Sequence, residues 1–471
     1  MLKYNYSYIA KRIFSAFLVA LFFLPTVACS IPNYLEKSEE RLGTQSELDR
    51  GFHVVADEPQ GFGLRFPGIV IGIEKTRREK LEVPALNADS HFNVKPRGFN
   101  KQNLKEFHSK MDDNERTFIS HIVESRLETN LGIPYIRNTF LYDEYGSDDR
   151  RPSNATMNVE GKTVYKRSWN ALKQLQSHIE TMLKNAMEER RPYSHVIVTT
   201  MGWNTPQEKA IRNINSINGN LLIAAGKTSK FKPLFIAITW PSQWTAPLVS
   251  LGNKANDADE IGFVWTNALM NRILVDLRDS ASNTTWKKFK IVAIGHSLGA
   301  RLVTRAAFSG EVLNPGVDIA NSVDLVIGLQ GAFSANRFLS ERAQGRDGAP
   351  YADYAKLGGH IVLTWSNTDS ANPLANIVTG ANFVGGQSGF KRANDERYRK
   401  HFAFLKYNEK QKLDWDSISL TNDKRVIMID ASNLLKYSVL GSGGGSHSDI
   451  YNAYMGDFLF DLINHLAPSY K

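Results

Sequence analysis

The chain has 471 residues, of which 42% are hydrophobic and 11% aromatic. This is enough apolar side chain for a sizeable core, and it excludes a largely disordered polypeptide. The formal net charge is +9, which is moderate for this length, and no basic block is long enough to indicate a nucleic-acid-binding protein. The composition predicts a folded protein with a solvated, mildly basic surface that tolerates anionic lipid headgroups.

The first residues have the pattern of a secretory signal. A polar stretch with three positive charges precedes an apolar run from Ile13 to Leu24. That run is shorter than the roughly 20 residues that a membrane span needs. We therefore predict a signal peptide over residues 1–28, with an uncleaved N-terminal anchor as the alternative.

Cys29 is the only cysteine, so an internal disulfide is excluded. The segment Thr26-Val27-Ala28-Cys29 resembles a bacterial lipobox, although Thr26 stands where leucine is usual. The resemblance implies cleavage before Cys29 and its acylation, which would anchor the protein to a membrane of the cell envelope. Ser30 in place of aspartate favours the outer membrane, facing the periplasm. A secreted protein is the alternative.

Residues 29–165 carry the weakest pattern. Gly51 to Ile73 mixes apolar residues with glycine and proline, which indicates short strands, whereas Asn103 to Glu128 has apolar spacing typical of a helix. We treat 29–165 as an N-terminal extension that is either an accessory region or the source of the first strands of a sheet.

The pattern becomes regular after Ser168. Six short β-branched runs predict strands at His195–Thr200, Leu234–Trp240, Phe289–Ile294, Val323–Leu329, His360–Trp365 and Arg425–Ile429. Helices are predicted at Trp169–Arg190, Gln207–Ile217, Asp257–Asp279, Leu298–Ser309 and Ile450–Leu466. This alternation predicts an α/β domain with a mostly parallel central sheet and helices on both faces. Ligand sites in such folds lie at the carboxyl ends of the strands.

One strand end carries a catalytic motif. The run FKIVAI leads directly into Gly295-His296-Ser297-Leu298-Gly299, and an amphipathic helix follows at once. In a G-x-S-x-G turn the serine stands at a sharp corner clear of the sheet, and the first helical N–H groups, from Leu298 onwards, face a developing oxyanion. Ser297 is therefore the candidate nucleophile; the alternative is a glycine-rich turn with a hydrogen-bonded serine.

Three segments together resemble the α/β-hydrolase family, in particular bacterial esterase-like members of unknown substrate. They are Met201-Gly202-Trp203-Asn204, Trp240-Pro241-Ser242 and the G-x-S-x-G turn. The resemblance covers residues 195–310, with Met201 standing where the family has histidine. It implies an α/β-hydrolase domain over residues 166–471. It also implies the main-chain N–H of Trp203 as the second oxyanion donor beside that of Leu298.

A nucleophilic serine needs a base and an orienting acid, which follow it in this chain order in the α/β-hydrolase family. Asp369 follows the strand HIVLTW, and His447 lies in the loop Gly445-Ser446-His447-Ser448-Asp449. We predict Asp369 as the acid and His447 as the base. Asp430 and Asp449 are the rival acids, and Asp449 is more readily explained as a helix N-cap.

The long connection 372–424 is predicted to be a cap beside the site, with ordinary helices packed on the sheet as the alternative. We find no metal-ligand spacing and no phosphate-binding loop in the sequence, so neither a metal nor another cofactor is expected. The predicted function is hydrolysis of a carboxylic ester, either small or lipid, by a Ser-Asp-His triad. Acyl transfer by the same triad, and a non-catalytic binding lipoprotein with this fold, remain as alternatives.

Overall fold

The computed structural model describes residues 63–75, 117–144, 161–226, 230–242, 247–282, 284–310, 323–339, 351, 357–371, 383–386, 389–408, 413–418, 425–437 and 446–470. Residues 51–471 form one compact unit. The predicted signal peptide, Cys29 and part of the 372–424 segment lie outside the described residues, and the acylation of Cys29 stays a prediction.

A single mixed sheet organises the described part of the chain. Its strands, in chain order, are β1 Gly68–Lys75, β2 Thr117–Asn130, β3 Ile133–Asp143, β4 His195–Thr200, β5 Pro233–Thr239, β6 Lys290–His296, β7 Leu325–Leu329, β8 His360–Trp365, β9 Phe402–Lys406 and β10 Val426–Asp430. They are hydrogen-bonded in the order β3-β2-β1-β5-β4-β6-β7-β8-β10-β9. Every pairing is parallel except those of β2, which is antiparallel to both β1 and β3.

Helices cover both faces of this sheet. They are α1 Gly161–Glu188, α2 Gln207–Ala225, α3 Pro247–Ile261, α4 Leu274–Asp279, α5 Leu298–Ala307, α6 Gly389–Ala393, α7 Glu396–Arg399 and α8 Ala453–Leu466. Successive strand residues point to opposite faces, and accordingly Val196 and Val198 belong to one buried cluster and Ile197 to another. The first cluster includes residues of α1, α3 and α5, and the second includes residues of α2 and α8.

The predicted mostly parallel α/β sheet is confirmed, and each of the six predicted strands is present to within two residues at either end. The predicted helix over Asn103–Glu128 is wrong from Thr117 onwards, where the chain is strand β2. Residues 117–125 are all buried on the two faces of this strand, and the i+3 and i+4 spacing of Phe118, Ile119, Ile122 and Val123 within it is the same as that of a helix face. The predicted helix Asp257–Asp279 is interrupted by π-helical segments at Gly262–Thr266 and Leu269–Ile273.

Two segments of undecided role extend the sheet. Residues within 29–165 supply β1, β2 and β3, which pair with one another and, through β1, with β5. Within the 372–424 segment, α6 and α7 lead into β9, which pairs with β10. These stretches of both segments therefore belong to the layered α/β architecture.

Candidate active site

Ser297 occupies a strained corner between β6 and α5. Its backbone angles are φ 56° and ψ −120°, a conformation that a residue with a Cβ atom rarely adopts. The Ser297 N–H donates to the carbonyl of Leu329 at 2.9 Å, and its carbonyl accepts from the N–H of Ala332 at 3.1 Å. The corner is therefore held by the end of β7 and the segment after it.

Glycines allow the neighbouring loop to approach this corner. A Cβ atom on Gly202 would lie 2.5 Å from the Cβ of Ser297 and 3.1 Å from the main-chain nitrogen of Leu298. A Cβ atom on Gly299 would lie 2.6 Å from the carbonyl oxygen of Thr200. Real Cβ atoms do not come this close to other heavy atoms, so the loop after β4 packs against the corner only because these positions have no side chain.

The loop after β4 is braced by the turn after β5. Trp240 Nε1 donates to the carbonyl of Met201 at 2.8 Å, and the Asn204 N–H donates to the carbonyl of Ser242 at 3.0 Å. Met201 itself is buried in the core, and Trp203 is half-buried against it. Trp240 is therefore a buried side chain that supports the loop after β4.

The predicted donors for an oxyanion meet at this junction. Leu298 is the first residue of α5, and the first N–H groups of a helix have no partner within it. Trp203 directly follows Gly202, the residue in contact with Ser297 and Leu298. The loop bearing Trp203 and the helix start bearing Leu298 thus lie beside the same hydroxyl-bearing corner.

Asp369 and His447 are 78 residues apart in sequence and in direct contact in the fold. His447 Nδ1 lies 2.8 Å from Asp369 Oδ2, with the Asp369 side chain fully buried and the His447 side chain 12% exposed. A carboxylate oxygen accepts, so Nδ1 carries the proton in this bond. In the neutral imidazole the other nitrogen, Nε2, is then the one able to take a proton.

Gln330 supports the same carboxylate. Its Nε2 donates to Asp369 Oδ2 at 2.8 Å and to the carbonyl of Gly385 at 3.1 Å, while Thr364 Oγ1 donates to Gln330 Oε1 at 3.1 Å. The other oxygen, Asp369 Oδ1, accepts from the N–H of Ala371 at 3.0 Å. The buried carboxylate therefore has hydrogen-bond donors on both oxygens, which compensates for its loss of water.

The loops that carry Asp369 and His447, the predicted acid and base, are hydrogen-bonded to each other. The Ser446 N–H donates to the carbonyl of Thr368 at 3.2 Å, and the hydroxyls of the two residues are 2.7 Å apart. Thr368 Oγ1 also donates to the carbonyl of Leu435 at 2.8 Å. The residue before Asp369 and the residue before His447 are thus bonded directly, which aligns the two loops.

His296, the residue before Ser297, contacts His447. Its Nε2 lies 2.9 Å from the carbonyl oxygen of His447, and the two rings have centroids 4.8 Å apart. Burial, reinforced by the nearby His447, lowers the pKa of His296 to about 3. His296 is therefore neutral near pH 7, with its proton on Nε2 where it donates to the carbonyl.

The rival acids have other partners. Asp430 Oδ1 accepts from the N–H of Ser432 at 3.0 Å and from its hydroxyl at 2.6 Å. Asp449 Oδ2 accepts from the N–H groups of Lys436 and Tyr437, both at 2.9 Å. The prediction that Asp449 is the N-cap of the last helix is wrong: α8 begins three residues later than predicted, and Asn452 caps it through a 3.0 Å bond to the Met455 N–H.

A buried cluster of charged residues stabilises the start of α5, the helix that follows Ser297. Asp259 of α3 accepts from Arg301 Nε at 2.8 Å and from Arg337 Nη1 at 3.1 Å, with all three side chains nearly inaccessible. Burial alone would raise the pKa of Asp259, but the two guanidinium groups outweigh it and hold that pKa below its usual range. Arg301 lies one turn after Ser297, so the cluster ties the start of α5 to α3.

Comparison with models of known protein families finds no match for the chain, and comparison with curated proteins finds none either. Within the described ranges, no group of three or more His, Cys, Asp or Glu residues could hold a metal ion. None of the helices in those ranges combines the length and apolarity that a transmembrane helix needs.

Sequence reasoning did not single out Gln330 or Thr368. Gln330 directly follows the strand VDLVIGL, and its positive φ of 50° leaves no trace in the sequence. His296 stands inside the G-x-S-x-G turn, and its bond to the His447 carbonyl is visible only in the fold. The signal that could have identified Gln330 is its position directly after a strand, since ligand sites in this class of fold lie at the carboxyl ends of the strands.

Proposed function

We propose that the chain is a serine hydrolase of the α/β-hydrolase type that cleaves a carboxylic ester. The observation that carries the proposal is the 2.8 Å hydrogen bond between His447 and Asp369. The main chain of His447 is also hydrogen-bonded to His296, the residue before Ser297. An acid and a base oriented this way, beside a serine in a strained strand-to-helix turn, are the components of a nucleophilic triad. The sequence resemblance supports the same family.

In the proposed first step, Ser297 Oγ attacks the ester carbonyl carbon while His447 Nε2 accepts the hydroxyl proton. Asp369 holds the imidazole in the required tautomer through Nδ1 and stabilises the imidazolium that forms. The oxyanion is stabilised by the main-chain N–H groups of Leu298 and Trp203, aided by the positive end of α5.

The tetrahedral intermediate then collapses. The C–O bond to the alcohol breaks, and His447 returns the proton to the leaving oxygen, which leaves an acyl group on Ser297. In the second half, His447 takes a proton from water as the water oxygen attacks the acyl carbonyl. The bond between the acyl carbon and Ser297 Oγ then breaks, His447 returns the proton to Oγ, and the carboxylic acid is released. No metal or other cofactor takes part in these steps.

The test is labelling of the purified full chain with a fluorophosphonate probe, alongside hydrolysis of p-nitrophenyl acetate and longer esters. The parent is expected to be labelled and to turn over ester, and Ser297→Ala to do neither. Ser177→Ala changes an exposed serine on α1 and is the matched control, which is expected to behave as the parent. Labelling that survives Ser297→Ala, or a folded parent that neither labels nor hydrolyses, overturns the proposal.

A further inference from the structure

The hairpin of β2 and β3 projects beyond the rest of the sheet. Strand β2 pairs with β1 only as far as Ser125, which lies opposite Gly68, the first residue of β1. Beyond that point, among the residues that the structure describes, 126–130 pair only with 133–137 of β3. We call residues 126–137 the hairpin arm.

The arm exposes apolar side chains on both faces and at its tip. Leu127 is 56% exposed, Leu131 95%, Ile133 68% and Tyr135 42%. The register pairs Leu127 with Ile136 and Asn130 with Ile133, so Leu127 and Ile133 point to opposite faces of the ribbon. A protein partner on one face would leave the other face in water, whereas immersion in an apolar medium covers both.

The turn at the tip is unfavourable in water for two reasons: its backbone is strained, and it exposes an apolar side chain. Leu131 has φ 50° and Gly132 φ 80°, the left-handed pair of a two-residue hairpin turn. Asparagine or aspartate is the usual residue before glycine in such a turn, because leucine is strained there. Here the strained position carries a leucine that is 95% exposed, more than any other large apolar side chain in the described ranges. Leu131 is therefore unfavourable both in backbone conformation and in exposure to water. This combination indicates that its side chain enters an apolar environment outside the isolated chain.

The positive charges at the base of the arm and the length of its apolar tip indicate which apolar environment this is. Arg126 and Arg137 lie opposite each other at the base of the arm, and their side chains are 59% and 58% exposed. Arg126 is paired with Glu124 and Arg137 with Glu128, but a guanidinium has five donors and can bind phosphate oxygens as well. From Gly132 back to Tyr135 the strand rises about 10 Å, the depth to which interfacial segments enter a bilayer.

We propose that the hairpin arm docks the protein on a lipid bilayer with anionic headgroups. Leu131 and Ile133 enter the boundary of the acyl region, Tyr135 and Leu127 lie at the headgroup level, and the two arginines contact phosphates. Alternate residues of the arm are hydrogen-bonded across its two strands, and the outward N–H and C=O groups of the others stay within reach of water at the bilayer interface. Acylation of Cys29, which stays a prediction, would supply a second and independent attachment.

The docking direction has a consequence for the substrate. The arm extends past the amino end of β1, whereas Ser297 follows the carboxyl end of β6, and both strands run parallel in the sheet. The arm and Ser297 therefore lie at opposite ends of the strands. This last step rests on the proposed function: the docked enzyme takes its ester from the aqueous phase and not from the bilayer that holds the arm.

The experiment uses the full chain with Cys29→Ser, which removes the only cysteine, and an environment-sensitive NBD label on Leu131→Cys. The matched control carries the label on Ile223→Cys, which is 75% exposed on α2. With vesicles of phosphatidylglycerol and phosphatidylethanolamine, label fluorescence at 131 is expected to rise several-fold and shift to the blue, and label at 223 to stay unchanged. Arg126→Gln with Arg137→Gln is expected to weaken the response several-fold.

Three outcomes overturn the proposal. One is an unchanged signal at 131 while vesicles sediment with the protein, since attachment then lies elsewhere. Another is an equal response at 223. The third is a blue shift at 131 that grows with protein concentration in the absence of vesicles, which would assign the arm to a second copy of the chain. None of these readouts depends on ester hydrolysis, so failure here is distinguishable from failure of the proposed function.

Discussion

His296 Nε2 lies 2.9 Å from the main-chain carbonyl oxygen of His447, although 151 residues separate the two in the chain. Because a carbonyl oxygen only accepts, the imidazole of His296 donates, and burial keeps it neutral by lowering its pKa to about 3. The residue before the candidate nucleophile thereby holds the backbone of the candidate base. The position of His447 relative to Ser297 depends on this bond as well as on the His447–Asp369 pair.

Replacing His296 with phenylalanine keeps a buried ring but removes the donor. One hydrogen bond of this kind is worth about 1 kcal/mol, so we expect kcat for ester hydrolysis to fall about fivefold to tenfold with little change in KM. Steady-state kinetics measure this, with His465→Phe on the exposed side of α8 as the control. A His296→Phe enzyme with parental kcat would show that the bond does not position the base.

Asp369→Asn keeps the size of the orienting side chain but removes its charge. We expect kcat to fall about 10³- to 10⁴-fold while the protein remains folded, as happens when a triad aspartate is replaced in serine proteases. Asp430→Asn is the matched control, because this carboxylate ends the neighbouring strand β10 but binds Ser432. Kinetics of both variants decide the assignment, and a severe loss in Asp430→Asn alone would contradict it.

Gln330→Met removes the amide that donates to Asp369 Oδ2 and leaves a side chain of similar length. Hydrogen bonds to charged groups are worth about 1.5–3 kcal/mol, so we expect kcat to fall about 10- to 100-fold with KM nearly unchanged. Gln174→Met, on the exposed face of α1, serves as the control. Equal losses of kcat in both variants, or a change confined to KM, would contradict a positioning role for Gln330.

Two buried histidines make the folded state sensitive to acid. Burial lowers the pKa of His121 to about 4 and that of His296 to about 3, so both are neutral when folded. In the unfolded chain each takes up a proton near pH 6.5. Stability from these groups is therefore full above pH 6.5 and is lost as pH falls towards 4. Each contributes a loss of about 2 kcal/mol between pH 7 and pH 5.

Urea unfolding at pH 7 and pH 5 measures this loss. In His121→Gln the dependence on pH is expected to be weaker by about 2 kcal/mol, whatever the variant's stability at pH 7. His465→Gln, at an exposed position, is expected to leave the pH dependence as in the parent. An unchanged dependence in His121→Gln would mean that this histidine is charged, or absent from the core, in the folded protein.

Leu131→Asn relieves the strained turn at the tip of the hairpin arm. Asparagine tolerates the left-handed conformation, so we expect the free energy of unfolding to rise by about 0.5–1 kcal/mol. Binding to anionic vesicles is expected to weaken at the same time. Leu127→Asn, in a strand conformation, is the matched control and gives no such stabilisation. Denaturant unfolding of both variants measures the gain in stability, and vesicle sedimentation measures the loss of binding. A Leu131→Asn chain with unchanged vesicle binding would contradict the prediction.

Much of the α/β architecture could be predicted from local patterns. Strands such as His195–Thr200 and His360–Trp365 match their predicted bounds because a short β-branched run closed by a turn is encoded locally. Strand β2 could not be predicted, because the neighbours that bury both of its faces come from distant parts of the chain. The strand order β1-β5-β4-β6 was equally beyond reach, since pairing between strands leaves no periodicity in either one.

For the candidate site, the sequence by itself determined which residues carry reactive groups. It placed Ser297 in a turn that only a strand, a helix and flanking glycines can form, and it placed Asp369 and His447 later in the chain. Only the tertiary structure decided that Asp369, and not Asp430, lies against His447, and that Gln330 and His296 support the pair. The physical reason is that a local motif is specified by the conformational preferences of adjacent residues. A contact across 78 residues depends on which strands lie side by side, and that is settled by packing of the whole sheet.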